Sequence, residues 1–259
     1  MNSDCKLAIE ASIEAGKIIM KYYRNQYEIR EKSYQNPVTT ADQEADSYLK
    51  SVLTKARPDY GWLSEETTDT SSRLYKEMVW IVDPLDGTKE FIEGIPHFVV
   101  SIALVKNGEP IIGVLHNPVT KDIFHAIKGS GSFLNDSVHK CNAKDSTLDM
   151  VILNSRSETR KGLWEPYKLQ FKELKPIGSV AYKMGLTAVG DADIFATLRP
   201  KNEWDICAGT CLINESGGKV IDLNGEALTF NNKKTLIEPG LIAGYQSSVD
   251  KTYKIFNER

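Results

Sequence analysis

Two aspartates at the end of an apolar run, Asp83 and Asp86 within Trp80-Ile81-Val82-Asp83-Pro84-Leu85-Asp86-Gly87-Thr88, are the residues best placed to do chemistry. Trp80 to Val82 reads as a buried strand, and Pro84 predicts that the strand stops there, because proline cannot donate to a ladder. Acids at a strand exit, followed by Gly87 and Thr88, suit hard cations and a phosphate better than they suit a core. Further carboxylates stand in comparable places: Glu65 and Glu66 close another short strand, and Asp205 opens a helix in the second half. Crowded carboxylates resist ionisation unless cations neutralise them. Mg²⁺ suits such an all-oxygen site and takes substrate phosphate as a further ligand. Paired cations about 4 Å apart can clamp both oxygens of an in-line displacement. If a helix begins after Asp86, the Gly87 and Thr88 amides are free for phosphate oxygens. A simple turn explains Asp, Pro and Gly, but not the second aspartate or the distant acids.

The elements that must position these groups follow from periodicity. A first amphipathic helix is predicted from Asp4 to Arg24, with Ile9, Ile13, Ile19, Met20 and Tyr23 inward. A second starts at Thr40, where Thr40 and Gln43 have capping-box spacing, and stops before Pro58. After the strand at Trp80, Val99 to Lys106 and Pro110 to His116 flank Asn107-Gly108, a strong hairpin signal, and Asp122 to Ile127 adds a neighbour. The first half therefore reads as helices on a largely antiparallel sheet. From Met150 short strands (Val151 to Leu153, Phe171 to Leu174, Ala192 to Leu198, Lys219 to Leu223) alternate with helices near Ser179 to Val189 and Asp205 to Glu215. Two lobes are expected: an α+β lobe over 1–135 with most of the acids, and an α/β lobe over 136–259 with Asp205.

Composition narrows the class. The chain has 259 residues and a net charge of −3, so no basic excess points to a nucleic acid polymer or an anionic membrane. No apolar run reaches the ~18 residues of a spanning helix, and the opening MNSDCKLAIEA is not a secretory signal. Cys5, Cys141, Cys207 and Cys211 form no CxxC pair; they read as small buried residues in a reducing, cytoplasmic protein. His97, His116, His125 and His139 lack ligand spacing, and Trp62 and Trp80 read as packing.

Motifs along nearly the whole chain, TTADQEAD, LSEE, WIVDPLDGTKEF, EWDICAG and NESGG, resemble the lithium-sensitive, magnesium-dependent phosphatase superfamily of inositol monophosphatases and fructose-1,6-bisphosphatases. GTKEFI at 87–92, GSVAYK with Lys183, and the closing LTFNNKKTLIEPGLIAG are most similar to bacterial 3′(2′),5′-bisphosphate nucleotidases. That resemblance implies a layered α-β-α-β-α sandwich, a Mg²⁺ cofactor of two or three ions, and hydrolysis of the 3′-phosphate of 3′-phosphoadenosine 5′-phosphate. An inositol or histidinol phosphate phosphatase is the alternative, and a metal- or phosphate-binding module without turnover a third reading. The partner is a small phosphorylated substrate, and a homodimer is admitted as the assembly.

Position by position, the resemblance implies that Glu65, Asp83, Asp86, the Leu85 carbonyl and Asp205 hold metal. Asp42 would pair with the Thr88 hydroxyl to aim or deprotonate the attacking water. Gly87 and Thr88 amides would hold the scissile phosphate, and Ser179 and Lys183 would meet the nucleotide's 5′-phosphate. Three departures bear on the leaving group: Glu158, the Gly178-Ser179-x-x-x-Lys183 spacing, which resembles inositol phosphatases as much as nucleotidases, and the Arg199-Pro200-Lys201 run. Glu158 stands after Ser155-Arg156-Ser157, where nucleotidases commonly carry histidine, so it must point away, bind a hydroxyl or report another substrate. Arg199 and Lys201 are either phosphate contacts or solvated charges, and Lys89 either lines the site or simply lies on a short helix.

Overall fold

The computed structural model describes residues 2–33 and 36–258; the outermost positions of the two expected lobes, 1 and 259, lie outside the described residues. Helix α1 (Ser3–Tyr22) buries a narrow face of small residues, Cys5, Ala8, Ala11, Ala15 and Ile19. Of the expected inward positions only Ile19 is fully buried; Ile9, Ile13, Met20 and Tyr23 flank that face half-covered. Small side chains let α1 lie close on α2 (Thr40–Ala56), and together they cover one face of a seven-stranded sheet.

That sheet contains β3 (Gly61–Ser64), β4 (Met78–Asp86), β5 (Val99–Lys106), β6 (Glu109–Asn117), β7 (Asp122–Ile127), β8 (Gly131–Leu134) and β9 (Ser137–His139) in chain order. Only β3 runs parallel to its neighbour; every other pairing is antiparallel, as the hairpin signals predict. A separate two-stranded ribbon, β1 (Ile29–Ser33) with β2 (Asn36–Thr39), precedes α2.

The second sheet has the order β11-β10-β12-β16-β14, where β10 is Val151–Ser155, β11 Glu173–Ile177, β12 Ile194–Thr197, β14 Gly218–Asp222 and β16 Leu241–Tyr245. A short pair, β13 (Lys201–Asn202) with β15 (Leu236–Ile237), lies beside it. Helices α5 (Val180–Ala188) and α6 (Glu203–Glu215) fill the space between the sheets, and α7 (Gln246–Asn257) covers the outer face of the second. The layers run α-β-α-β-α, the expected sandwich. The middle apolar cluster joins Leu63, Val79 and Leu115 of one sheet to Leu153, Phe195 and Leu241 of the other, through Cys207, Ala208 and Cys211 of α6.

Some boundaries differ from expectation. The second strand of the second half begins at Glu173, because Phe171 is buried among aromatic neighbours such as Phe256 instead of entering the sheet. Strand β16 and helix α7 were not anticipated. No helix among the described residues is long and apolar enough to cross a membrane.

Candidate active site

Strand β4 continues through Pro84 to Asp86, contrary to the expected stop. Its pairing with β5 passes from Asp83↔Ser101 to Asp86↔Val99, a bulge of one extra residue. A bulge needs no ladder donor there, which is why proline is tolerated, and it re-aims the flanking side chains. Asp83 and Asp86 therefore both line one cavity of about 400 Å³. The Leu85 amide donates to Asp83 Oδ1 at 2.9 Å.

Parallel pairing of β3 with β4 sets Ser64 opposite Val82 and delivers Glu65 to the same cavity. Asp205 comes from the first turn of α6, its Oδ2 accepting from the Asn202 amide at 3.0 Å in a capping box. One carboxylate oxygen from each of Glu65, Asp83 and Asp205 lies within 4.8 Å of the other two. Burial first, then the neighbouring carboxylates, hold Asp83 and Asp205 well above the ordinary carboxylate range. Burial likewise pushes Asp86 up to about 6, against hydrogen bonds from Ser179 and Ala181 and the charge of Lys183. Such a concentration of repelling, all-oxygen donors fits a hard divalent cation, which would reverse those shifts.

Asp46 supports this floor and was not singled out in the sequence. It lies one helical turn after Asp42, buried, and accepts from Ser64 Oγ and from Thr67 Oγ1 (2.7 Å), gripping the chain on both sides of Glu65 and Glu66. The signal available was the i, i+4 spacing of two acids on one helix face.

Helix α2 starts at Thr40 as expected, but its capping pair is shifted by one residue. The capping box is Thr39 with Asp42, not Thr40 with Gln43: the Thr39 amide and hydroxyl donate to Asp42 Oδ2 at 2.8 and 2.6 Å. Aspartate at the third helical position reaches back as Gln43, which is exposed, does not. Asp42's other oxygen accepts from the Thr88 hydroxyl at 3.0 Å, and that hydroxyl also lies 3.2 Å from the Leu85 carbonyl. Burial raises the Asp42 pKa, opposed by its hydrogen bonds to Thr39 and Thr88. Gly87 adopts φ +106°, and an added Cβ would meet the His97 carbonyl at 2.6 Å, so only glycine carries the chain from β4 into α3 (Thr88–Ile92) here.

Ser179 and Lys183 are beside the same floor. The Ser179 hydroxyl and the Ala181 amide (2.6 Å) donate to Asp86 Oδ2. Ser179 holds φ +56°, an unfavourable conformation for a residue with a Cβ, stabilised by these contacts. The Lys183 ammonium, 2% exposed, donates to the carbonyls of Ile177 (3.1 Å) and Ser179 (2.6 Å). Burial lowers its pKa to about 8, against the pull of Asp86 and Glu90. Arg156, also on the cavity wall, is paired with Glu90 (2.8 Å) and Glu93 (2.5 Å).

Glu158 lies on α4 (Arg156–Arg160), 1% exposed and turned into the fold. It accepts from Trp164 Nε1 (2.9 Å), Thr197 Oγ1 (2.6 Å) and the Leu198 amide (3.3 Å). Of its three expected roles it takes the first: it points away from the cavity, satisfied by the protein's own donors. Lys89 is both on α3 and on the cavity wall, whereas the lining includes neither Arg199 nor Lys201 among the described residues. The four histidines stay outside the carboxylate cluster; His116 and His125 meet the carbonyls of Ser12 and Asn135. All four cysteines are free and buried.

Comparison with known proteins matches residues 2–256 to a family model described as the inositol monophosphatase family. The chain is 33% identical over 231 residues to the inositol-1-monophosphatase of Rhizobium meliloti, covering 84% of each chain. It is 31% identical over 248 residues to the 3′(2′),5′-bisphosphate nucleotidase CysQ of Haemophilus influenzae, covering 92% of this chain and 91% of that one. Its fold is similar to the crystal structure of extragenic suppressor protein suhB from Bartonella henselae, with a TM-score of 0.88, 28% identity and 99% coverage of both chains.

Proposed function

Because the chain belongs to the inositol monophosphatase family, we propose that it is a Mg²⁺-dependent phosphatase whose preferred substrate is 3′-phosphoadenosine 5′-phosphate, hydrolysed to AMP and phosphate in the cytoplasm. The observation that carries the phosphatase reading is the cluster of Glu65, Asp83 and Asp205 in one cavity with Thr88, whose hydroxyl donates to Asp42. Glu65, Asp83, the Leu85 carbonyl, Asp86 and Asp205 would hold two or three ions. When bound, the cations neutralise the substrate phosphate and make water a better nucleophile.

The chain's own groups supply the aim. Asp42, anchored by Thr39, keeps the Thr88 hydroxyl oriented so that its oxygen accepts from the attacking water. The proton released as water attacks phosphorus passes through Thr88 Oγ1 toward Asp42, whose buried carboxylate is a stronger base than an exposed one. Gly87 and Thr88 amides hold the phosphate, a geometry that depends on the positive φ of Gly87. Ser179 and Lys183 bound the side of the cavity toward the leaving group, with Lys183 contributing positive potential behind Asp86.

The nucleotide reading is supported by the GTKEFI segment and by the near full-length similarity to the Haemophilus nucleotidase. A small polyol phosphate is the second reading, favoured by the similarity to the Rhizobium enzyme. Phosphate release with Mg²⁺, comparing 3′-phosphoadenosine 5′-phosphate with inositol 1-phosphate at equal concentration, tests the choice. A large preference for the nucleotide is expected; preference for the polyol phosphate would sink the first reading and leave the metal chemistry standing.

A further inference from the structure

A substrate with two phosphates needs cations at two places. Among the described residues, four cationic side chains line the carboxylate cavity: Lys89, Arg156, Arg160 and Lys183. Two of them are committed to the fold. Lys183 is buried with its ammonium on two main-chain carbonyls, and Arg156 is paired with Glu90 and Glu93. Lys89 and Arg160 differ: both are exposed, and among the described residues no carboxylate pairs with either.

Their position is equally distinctive. A shallow groove of about 500 Å³ opens beside the main cavity, and the two share Pro37, Lys89, Ser157 and Arg160 as a common rim. The groove then runs past Ile92 and Ile29 to Lys161, with Glu31 and the Arg156-paired Glu93 also on its wall. Ile29 is 50% exposed, a large aliphatic side chain left open where a flat apolar body could cover it. The path from carboxylate floor to basic rim to apolar wall has the order of groups in a nucleoside carrying one scissile and one retained phosphate.

We propose that Lys89 and Arg160 form the subsite for the retained phosphate of the leaving group, and that Ile29 and Ile92 flank its base. The inference rests on the nucleotide reading above. Arg160 offers a planar fork of donors to phosphate oxygens, and Lys89, on the helix that begins at Thr88, adds a charge on the rim common to both cavities. Lys183 then supports Asp86 and its loop instead of touching that phosphate.

The test is the ratio of kcat/KM for 3′-phosphoadenosine 5′-phosphate to that for adenosine 3′-monophosphate, which lacks the second phosphate, in the parent enzyme and in Lys89→Ala, Arg160→Ala, Arg160→Glu and Lys183→Met. Both phosphate-rim residues are exposed, so their variants should fold, which circular dichroism checks. The parent ratio should be well above one. Each alanine variant should lower it about tenfold, chiefly through the bisphosphate KM, and Arg160→Glu should lower it further. The parent's bisphosphate KM should also rise with salt. A parent ratio near one overturns the nucleotide reading, and this proposal with it. A high parent ratio that survives in both alanine variants overturns the proposal alone, as does a selective loss confined to Lys183→Met.

Discussion

This molecule buries carboxylates in two opposite ways. Around Glu158, the protein supplies an indole N–H, a threonine hydroxyl and a main-chain amide to one acid. Glu203 is handled similarly, its fully buried carboxylate taking the amides of Asn231 and Asn232 and the Asn232 side chain. On the cavity floor Asp83, Asp86 and Asp205 face one another and Glu65, and burial with mutual repulsion drives their pKa values up. A buried charge that the fold satisfies is structure. A cluster that the fold leaves repelling is held for something outside the chain.

The sharpest way to break that contrast is substitution on each side. Asp86→Asn should lower turnover by ~10³-fold or more, a loss of about 4 kcal/mol of transition-state stabilisation, while raising the melting temperature of the metal-free protein near neutral pH. Residual activity within tenfold of the parent would remove Asp86 from the cation site. Glu158→Ala should do the reverse. Leaving the Trp164 and Thr197 donors unpaired should cost about 2–4 kcal/mol of stability, with kcat well below the melting temperature within a few-fold of the parent. Denaturant unfolding and initial rates on the same preparation decide it.

The pH dependence sharpens the comparison further. Asp86 has a folded pKa of about 6 against an ordinary 3.8. A raised acid pKa stabilises the fold below the unfolded value, and that contribution is lost as pH rises through the folded value. Metal-free protein should therefore lose on the order of 3 kcal/mol between pH 4 and pH 7, and saturating Mg²⁺ should restore it. Thermal melts across that range, with and without the ion, measure this; flat stability without the ion would mean the floor is already neutralised. The smallest effect is expected at Asp46. Asp46→Asn should raise the Mg²⁺ concentration for half-maximal activity about tenfold by loosening the chain around Glu65, with far-ultraviolet circular dichroism unchanged.

How much of this was legible depended on how local the cause was. Asp83-Pro84-Leu85-Asp86-Gly87-Thr88 announces its chemistry because acids, turn and phosphate loop are contiguous, and the hairpin at Asn107-Gly108 is equally local. That Pro84 lies inside a strand was hidden, since only the pairing partner β5 makes the bulge. The burial of Glu158 depends on Thr197, far along the chain, and no spacing rule connects them. Asp46 was half-visible through its spacing from Asp42, but its partners Ser64 and Thr67 arrive with another strand. Helix α1 misled in a different way: its bulky residues mark the flanks, and its alanines mark the contact.

The position of Asp205 has a consequence for how the molecule comes into being. Glu65, Asp83 and Asp86 leave the ribosome together, on neighbouring strands of the first sheet. Asp205 follows far behind them, and it reaches the floor only when α6 wedges between the two sheets. That wedge is close enough that a side chain on Gly113 would collide with the Ala208 carbonyl. Cation capture by the full set of acids is thus a late event in the life of each new chain, and a nascent polypeptide acquires its metal grip only as it finishes its core.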